Sequence, residues 1–103
     1  MSLSIRITMS CKVLIDEKVF KFLDKFSKTN RKMYGRIDTF LNETLPNAEN
    51  PCTLPNAKKL VGFDDNRYRW RLGDYRVIGI VKKQEFHIVQ VIKVSIKNED
   101  TYK

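Results

Sequence analysis

The sequence predicts an α+β domain of two layers: one strand, a helical hairpin, then a three-stranded antiparallel meander whose inner face the helices cover. Three observations carry this. Apolar side chains recur at helical spacing between residues 17 and 45, and beyond residue 66 they alternate or run on at strand spacing. Gly73-Asp74 stands between two strand-like runs as a two-residue turn with glycine first. A chain of 103 residues is long enough for one modest core and too short for two, so residues 1–103 read as a single domain.

Residues 1–10 read as an N-terminal extension or an added leader, with Met9 an alternative start. Cys11 to Ile15 is the first strand, and Asp16 is placed to cap the helix that follows. From Glu17 to about Ser27, Val19, Phe22, Leu23 and Phe26 form one apolar stripe, with Lys18, Lys21, Lys25 and Lys28 mostly off it. A second helix runs from about Asn30 to Leu45 on Met33, Ile37, Phe40, Leu41 and Leu45. Thr29 or Asn30 caps it and Pro46 stops it. The short gap between the two makes them an antiparallel hairpin.

All three prolines fall between residues 46 and 56, which read as a loop. Lys58-Lys59-Leu60-Val61-Gly62 then leads toward the sheet, and Asp64-Asp65-Asn66 turns into it. In the next strand Tyr68, Trp70 and Leu72 share one face while Arg67, Arg69 and Arg71 share the other. Tyr68, Trp70 and Tyr75 are expected in the core. Arg76 to Lys82 is apolar on both faces apart from its ends, as a central strand is. Lys83-Gln84 or Gln84-Glu85 turns the chain back into a last long strand from Phe86 to Val94, and residues 95–103 form a polar tail. His87, on the face of Val89 and Val91, is expected to be structural; Cys11 is expected as a small strand hydrophobe and Cys52 as a loop residue without a partner.

The formal net charge of +8 calls for an acidic partner, and it is spread along the chain. Residues 58–103 hold 11 Lys/Arg against 6 Asp/Glu, and residues 1–57 hold 9 against 6, so a folded basic surface is expected rather than a basic arm. No apolar run approaches the roughly 20 residues of a membrane helix. The N-terminus does not look like an export signal. Two cysteines without ligand spacing and one histidine predict neither a disulfide framework nor a structural metal, and no cofactor. These features predict a soluble, cytoplasmic protein.

The sequence holds no catalytic triad, no phosphate-binding glycine loop and no acidic metal cluster, so any chemistry must fall to Arg, Lys and Tyr. One reaction suits that set: attack of a ribose 2′-OH on the adjacent phosphate. Its transition state gathers negative charge on phosphate oxygens, which fixed guanidinium groups stabilise. A lysine with a depressed pKa can move a proton; arginine, with a pKa above about 12, is a poor base.

Lys59-Leu60-Val61-Gly62, then Tyr68-Arg69-Trp70-Arg71-Leu72-Gly73-Asp74-Tyr75-Arg76-Val77-Ile78, then the strand over 86–94 and a final Lys97-to-Tyr102 stretch resemble the RelE/ParE toxin superfamily. The resemblance covers residues 11 to 103 in order. It implies a RelE-like fold and the toxin of a bacterial toxin–antitoxin pair, held inactive by a cognate antitoxin in a heterotetramer or larger complex. RelE-like members are mRNA interferases that cleave mRNA in the ribosomal A site; ParE-like members bind and inhibit DNA gyrase without cleaving RNA. On the RelE-like reading, Arg69 and Arg71 match basic residues of the first meander strand, and Arg76 matches the arginine that stabilises the phosphate transition state. Lys97 matches the general acid and Tyr102 the tyrosine that stacks on the substrate. Lys58, Lys59, Arg67 and Lys93 are expected to contact RNA. Two departures stand out: Ser95-Ile96-Lys97 replaces the family's common Gly-His-Arg run, and arginine stands where a lysine base is common.

Overall fold

A computed structural model of the chain describes residues 11–83 and 87–96. Five strands form one sheet in the order β1-β5-β4-β3-β2, where β1 is Cys11–Ile15, β2 Ala57–Lys59, β3 Arg67–Leu72, β4 Tyr75–Lys83 and β5 His87–Ile96. The helical hairpin of α1 (Glu17–Thr29) and α2 (Arg31–Thr39) covers one face, as the apolar stripes require. The α+β two-layer class is the one the pattern predicts, with two additions. β2 is a strand of three residues on the outer edge of β3, and β1 joins the far edge by pairing parallel with β5.

The core fills the space between the layers. Val19, Leu23 and Phe26 of α1 and Ile37, Phe40, Leu41 and Leu45 from the second helical run meet Trp70, Val77, Val81, Val89, Val91 and Val94 of the sheet. Trp70 sits at its centre, 0% exposed, packed against Phe40 and Tyr68, and its indole N–H donates to the Pro51 carbonyl at 2.9 Å. That bond ties the proline loop to the sheet and satisfies the one polar atom of the largest buried ring.

The helix ends depart from expectation in two places. Asp16 occupies the N-cap position of α1, yet its side chain makes no capping bond; its carboxylate accepts from Gln90 Nε2 at 3.0 Å and so pins the helix start to β5. Asn30 does cap α2, accepting from the Met33 N–H. The second helical run also continues through Pro46 to Asn47. Proline there contributes no N–H and its ring crowds the carbonyl four residues back. The chain answers with a widened π turn over Phe40–Thr44, in which the Leu45 N–H reaches the Phe40 carbonyl five residues back.

The turn at Gly73-Asp74 is the predicted one. Leu72 pairs with Tyr75 across it, and Gly73 has φ +60°. A positive φ at the first turn position alone is the type II′ geometry that matches the twist of a hairpin. The expected turn between β4 and β5 lies outside the described residues, as do residues 1–10, Lys97 and Tyr102.

Candidate phosphate-binding face

The register decides which basic side chains meet. On β4 the core takes Tyr75, Val77 and Val81, so Arg76, Ile78, Ile80 and Lys82 turn to the face away from the helices. Two rows cross that open face. Arg71 of β3 stands opposite Arg76 of β4, which stands opposite Ser95 of β5. One step along, Lys58 of β2 stands opposite Arg69, then Ile78, then Lys93. Lys58, Arg69, Arg71, Arg76 and Lys93 are therefore gathered on one rigid surface, as the alternation of β3 predicted for its arginines.

The Arg71–Arg76 pair is close for a structural reason. The Arg71 N–H donates to the Asn56 carbonyl at 3.1 Å and the Arg71 carbonyl accepts from Asn56 Nδ2 at 3.0 Å, so both backbone groups of Arg71 face away from β4. Arg71 and Arg76 thus form a non-hydrogen-bonded antiparallel pair, the kind whose side chains approach most closely, with Cβ atoms about 4.5–5.5 Å apart. Like charges so placed destabilise a sheet by roughly 0.2–1 kcal/mol. Arg71 is exposed, and among the described residues its guanidinium makes no hydrogen bond or ion pair. Arg76 is half-buried, beside Ser95, which is 4% exposed.

Arg69 is held differently. Its Nη1 donates to the Asn56 carbonyl at 2.9 Å. Arg67 is engaged by its own loop: the guanidinium pairs with Asp65 at 2.6 Å and lies 4.1 Å over the Phe63 ring. That pairing, with Arg67's hydrogen bond the largest cause, holds the Asp65 carboxyl below its usual range. Lys59 opposes Tyr68 and so sits on the other side of the strand from Lys58. The expected RNA contacts therefore divide. Lys58 and Lys93 join the arginine rows, Arg67 is charge-paired at their far end, and Lys59 lies off the face.

Two cysteine environments differ from expectation in one respect. Cys11 is buried in the core, which with the charge of Cys52 pushes its thiol from 9.0 up to about 11, against a lowering backbone hydrogen bond at Val89. Cys52 packs on the core, and its proximity to Tyr68, with burial, raises the Tyr68 phenol above its ordinary 10.0. The loop cysteine thus has neighbours that the linear sequence does not reveal.

The middle of the arginine face is covered, with Ile78 2% and Ser95 4% exposed and Arg76 half-buried, while Arg71 is exposed. An apolar hollow of about 620 Å³ lined by Cys11, Val13, Leu41 and Pro46 lies at the β1 edge, the opposite side of the sheet from β3. Among the described residues no three His, Cys, Asp or Glu side chains stand close enough to share a metal ion, and no helix is long and apolar enough to cross a membrane.

No protein-family model and no curated protein matches the sequence. Solved structures do match. A chain of the RelBE2 toxin–antitoxin complex from Mycobacterium tuberculosis aligns with a TM-score of 0.65 at 16% identity, over 91% of this chain and 98% of that one. The YoeB/ParE toxin from Agrobacterium tumefaciens aligns with a TM-score of 0.60 at 16% identity, over 82% and 97%. At that identity the likeness speaks to backbone and topology alone: the chain has the fold shared by these two structures, and it agrees with the sequence pattern from β1 to β5.

Proposed function

We propose that the chain is the toxin of a toxin–antitoxin pair and acts as a cytoplasmic, ribosome-dependent endoribonuclease. The observation that carries this reading is the Arg71–Arg76 pair with Arg69 beside it. Two like charges set opposite each other on a strand pair, with Arg69 anchored beside them, suit the negative charge of a dianionic transition state. The two structures named above bear toxin names, and one comes from a toxin–antitoxin complex, which supports an antitoxin partner here.

On this reading the ribose 2′-oxygen of bound mRNA attacks the neighbouring phosphorus, and the bond to the 5′-oxygen breaks. The products are a 2′,3′-cyclic phosphate and a 5′-hydroxyl. Arg76 and Arg69 stabilise the charge on the non-bridging oxygens. Arg71 and Lys97 move the protons, and Tyr102 orients the base. Arginine's high pKa makes it a weak base, so the reaction leans on charge stabilisation and on positioning of the mRNA by the ribosome. Lys58 and Lys93 extend the charge along the bound strand.

The test is cleavage of mRNA on programmed ribosomes by wild type and Arg76→Ala. Wild type cuts and the variant is slower by at least about 10²-fold. If translated mRNA stays intact while supercoiling by gyrase is inhibited, the protein is a gyrase-binding toxin of the ParE kind. Intact mRNA without growth arrest marks a site that has lost its activity.

A further inference from the structure

We infer that Asn56 is a positioning residue for the phosphate-binding arginines, and that it sets where the Arg69 guanidinium points. This rests on the proposal that the open face binds a phosphodiester.

Asn56 occupies the third position of a turn closed by the Ala57 N–H on the Leu54 carbonyl at 2.9 Å, with Pro55 ahead of it. The register pairs Ala57 with Trp70, so Asn56 falls opposite Arg71 as the next rung of the ladder. The side-chain amide takes the place of the backbone N–H on this rung: Nδ2 donates to the Arg71 carbonyl at 3.0 Å. The Asn56 carbonyl then receives two donors, the Arg71 N–H at 3.1 Å and Arg69 Nη1 at 2.9 Å.

The second of those bonds has a direction. Arg69 lies opposite Lys58, but its guanidinium is held at residue 56, two rungs along, level with Arg71 and Arg76. The side chain is thereby drawn into the row of the other two arginines, against their repulsion. A charge-assisted hydrogen bond to a fixed carbonyl is strong enough to do this. The result sets the Arg69 guanidinium on the β2 side of Arg71, at the end of the Arg71–Arg76 row, where it can meet an anion bound along that row. Asn56 carries no charge and need not touch the ligand.

Two readouts test this without requiring catalysis. Guanidinium NMR of wild type should show resolved, slowly exchanging Arg69 Nη hydrogens; Asn56→Ala keeps the accepting carbonyl but removes the Nδ2 bond to Arg71 that holds it in place, and should merge them. Titration with inorganic phosphate and with an uncleavable 2′-deoxy oligonucleotide should show binding weakened roughly fivefold to tenfold in Asn56→Ala. Arg69→Gln should weaken binding similarly, and the double variant should be no worse than Arg69→Gln alone. Asn56→Gly, which the turn accepts, repeats the measurements in a second background. Unchanged Arg69 signals, or losses that add in the double variant, would overturn the role of Asn56. Should Arg69→Gln bind phosphate as well as wild type, the phosphate-site reading itself falls.

Discussion

Arg71 and Arg76 face each other across the β3–β4 hairpin, one rung from its turn, in the close non-hydrogen-bonded geometry. Placing like charges there costs stability, so the pair separates what the fold wants from what a phosphate site wants. Arg71→Thr should raise unfolding free energy by about 0.5 kcal/mol, because a β-branched residue replaces a repelled cation on an exposed strand position. The same change should cut RNA cleavage by at least about 10²-fold. Urea denaturation and single-turnover cleavage measured on one preparation check both halves; a variant that is both less stable and equally active refutes the argument.

The register of that pair depends on Gly73. Its φ of +60° suits glycine, and a Cβ there would sit 3.1 Å from Arg36 Nη1 and 3.2 Å from Met33 Cε, the ends of two flexible side chains. Backbone strain therefore outweighs the clash. Gly73→Ala should cost about 1 kcal/mol, and Gly73→Asn less, since asparagine tolerates the left-handed region. Denaturant midpoints of the two variants rank them.

Gly79 is constrained by space rather than by φ. A Cβ would come within 3.0 Å of Val89 Cγ1, 3.1 Å of the Gln90 carbonyl oxygen and 3.1 Å of Trp70 Cζ3. Backbone and a fully buried indole cannot withdraw as side-chain ends can. Gly79→Ala should destabilise by about 1–3 kcal/mol through overpacking, visible as a lowered urea midpoint and a shifted Trp70 fluorescence maximum.

Alkaline pH should expose the cysteine environment. Cys11 keeps its proton in the folded chain up to about pH 11, while the unfolded chain releases it near 9.0. Between those values the unfolded state binds fewer protons, so stability falls as pH rises through that window and is fully present below it. The raised Tyr68 phenol adds loss of the same sign above 10.0. Urea midpoints at about pH 8 and about pH 10 should differ more in wild type than in Cys11→Ala. An equal drop in both would place the effect elsewhere.

Much of the site was readable in the sequence because a two-residue turn leaves no freedom. Once Gly73-Asp74 is the turn, Arg71 must oppose Arg76, and alternation sends Trp70 to the core. The engagement of Arg67 also left a local trace, with Phe63 and Asp65 four and two residues ahead of it. Other features had no local signature. β2 is too short to show alternation, so nothing in Lys58-Lys59 says which lysine joins the arginines; only pairing with β3 does. Asn56 looks like one more turn former in a proline-rich loop, and its role arises from bonds to residues fifteen and thirteen positions away. The continuation of the helix through Pro46 depends on the π turn before it, which periodicity alone does not reveal.

The parallel pairing of β1 with β5 joins Cys11 to His87, nearly the two ends of the described chain. During synthesis the helical hairpin can form as it emerges, but the first strand has no neighbour until the last one has been made. Its edge waits exposed, with Leu14 and the hollow beside Cys11 open to whatever is nearby. Closing so long a loop costs entropy that only the finished β1–β5 pairing can offset.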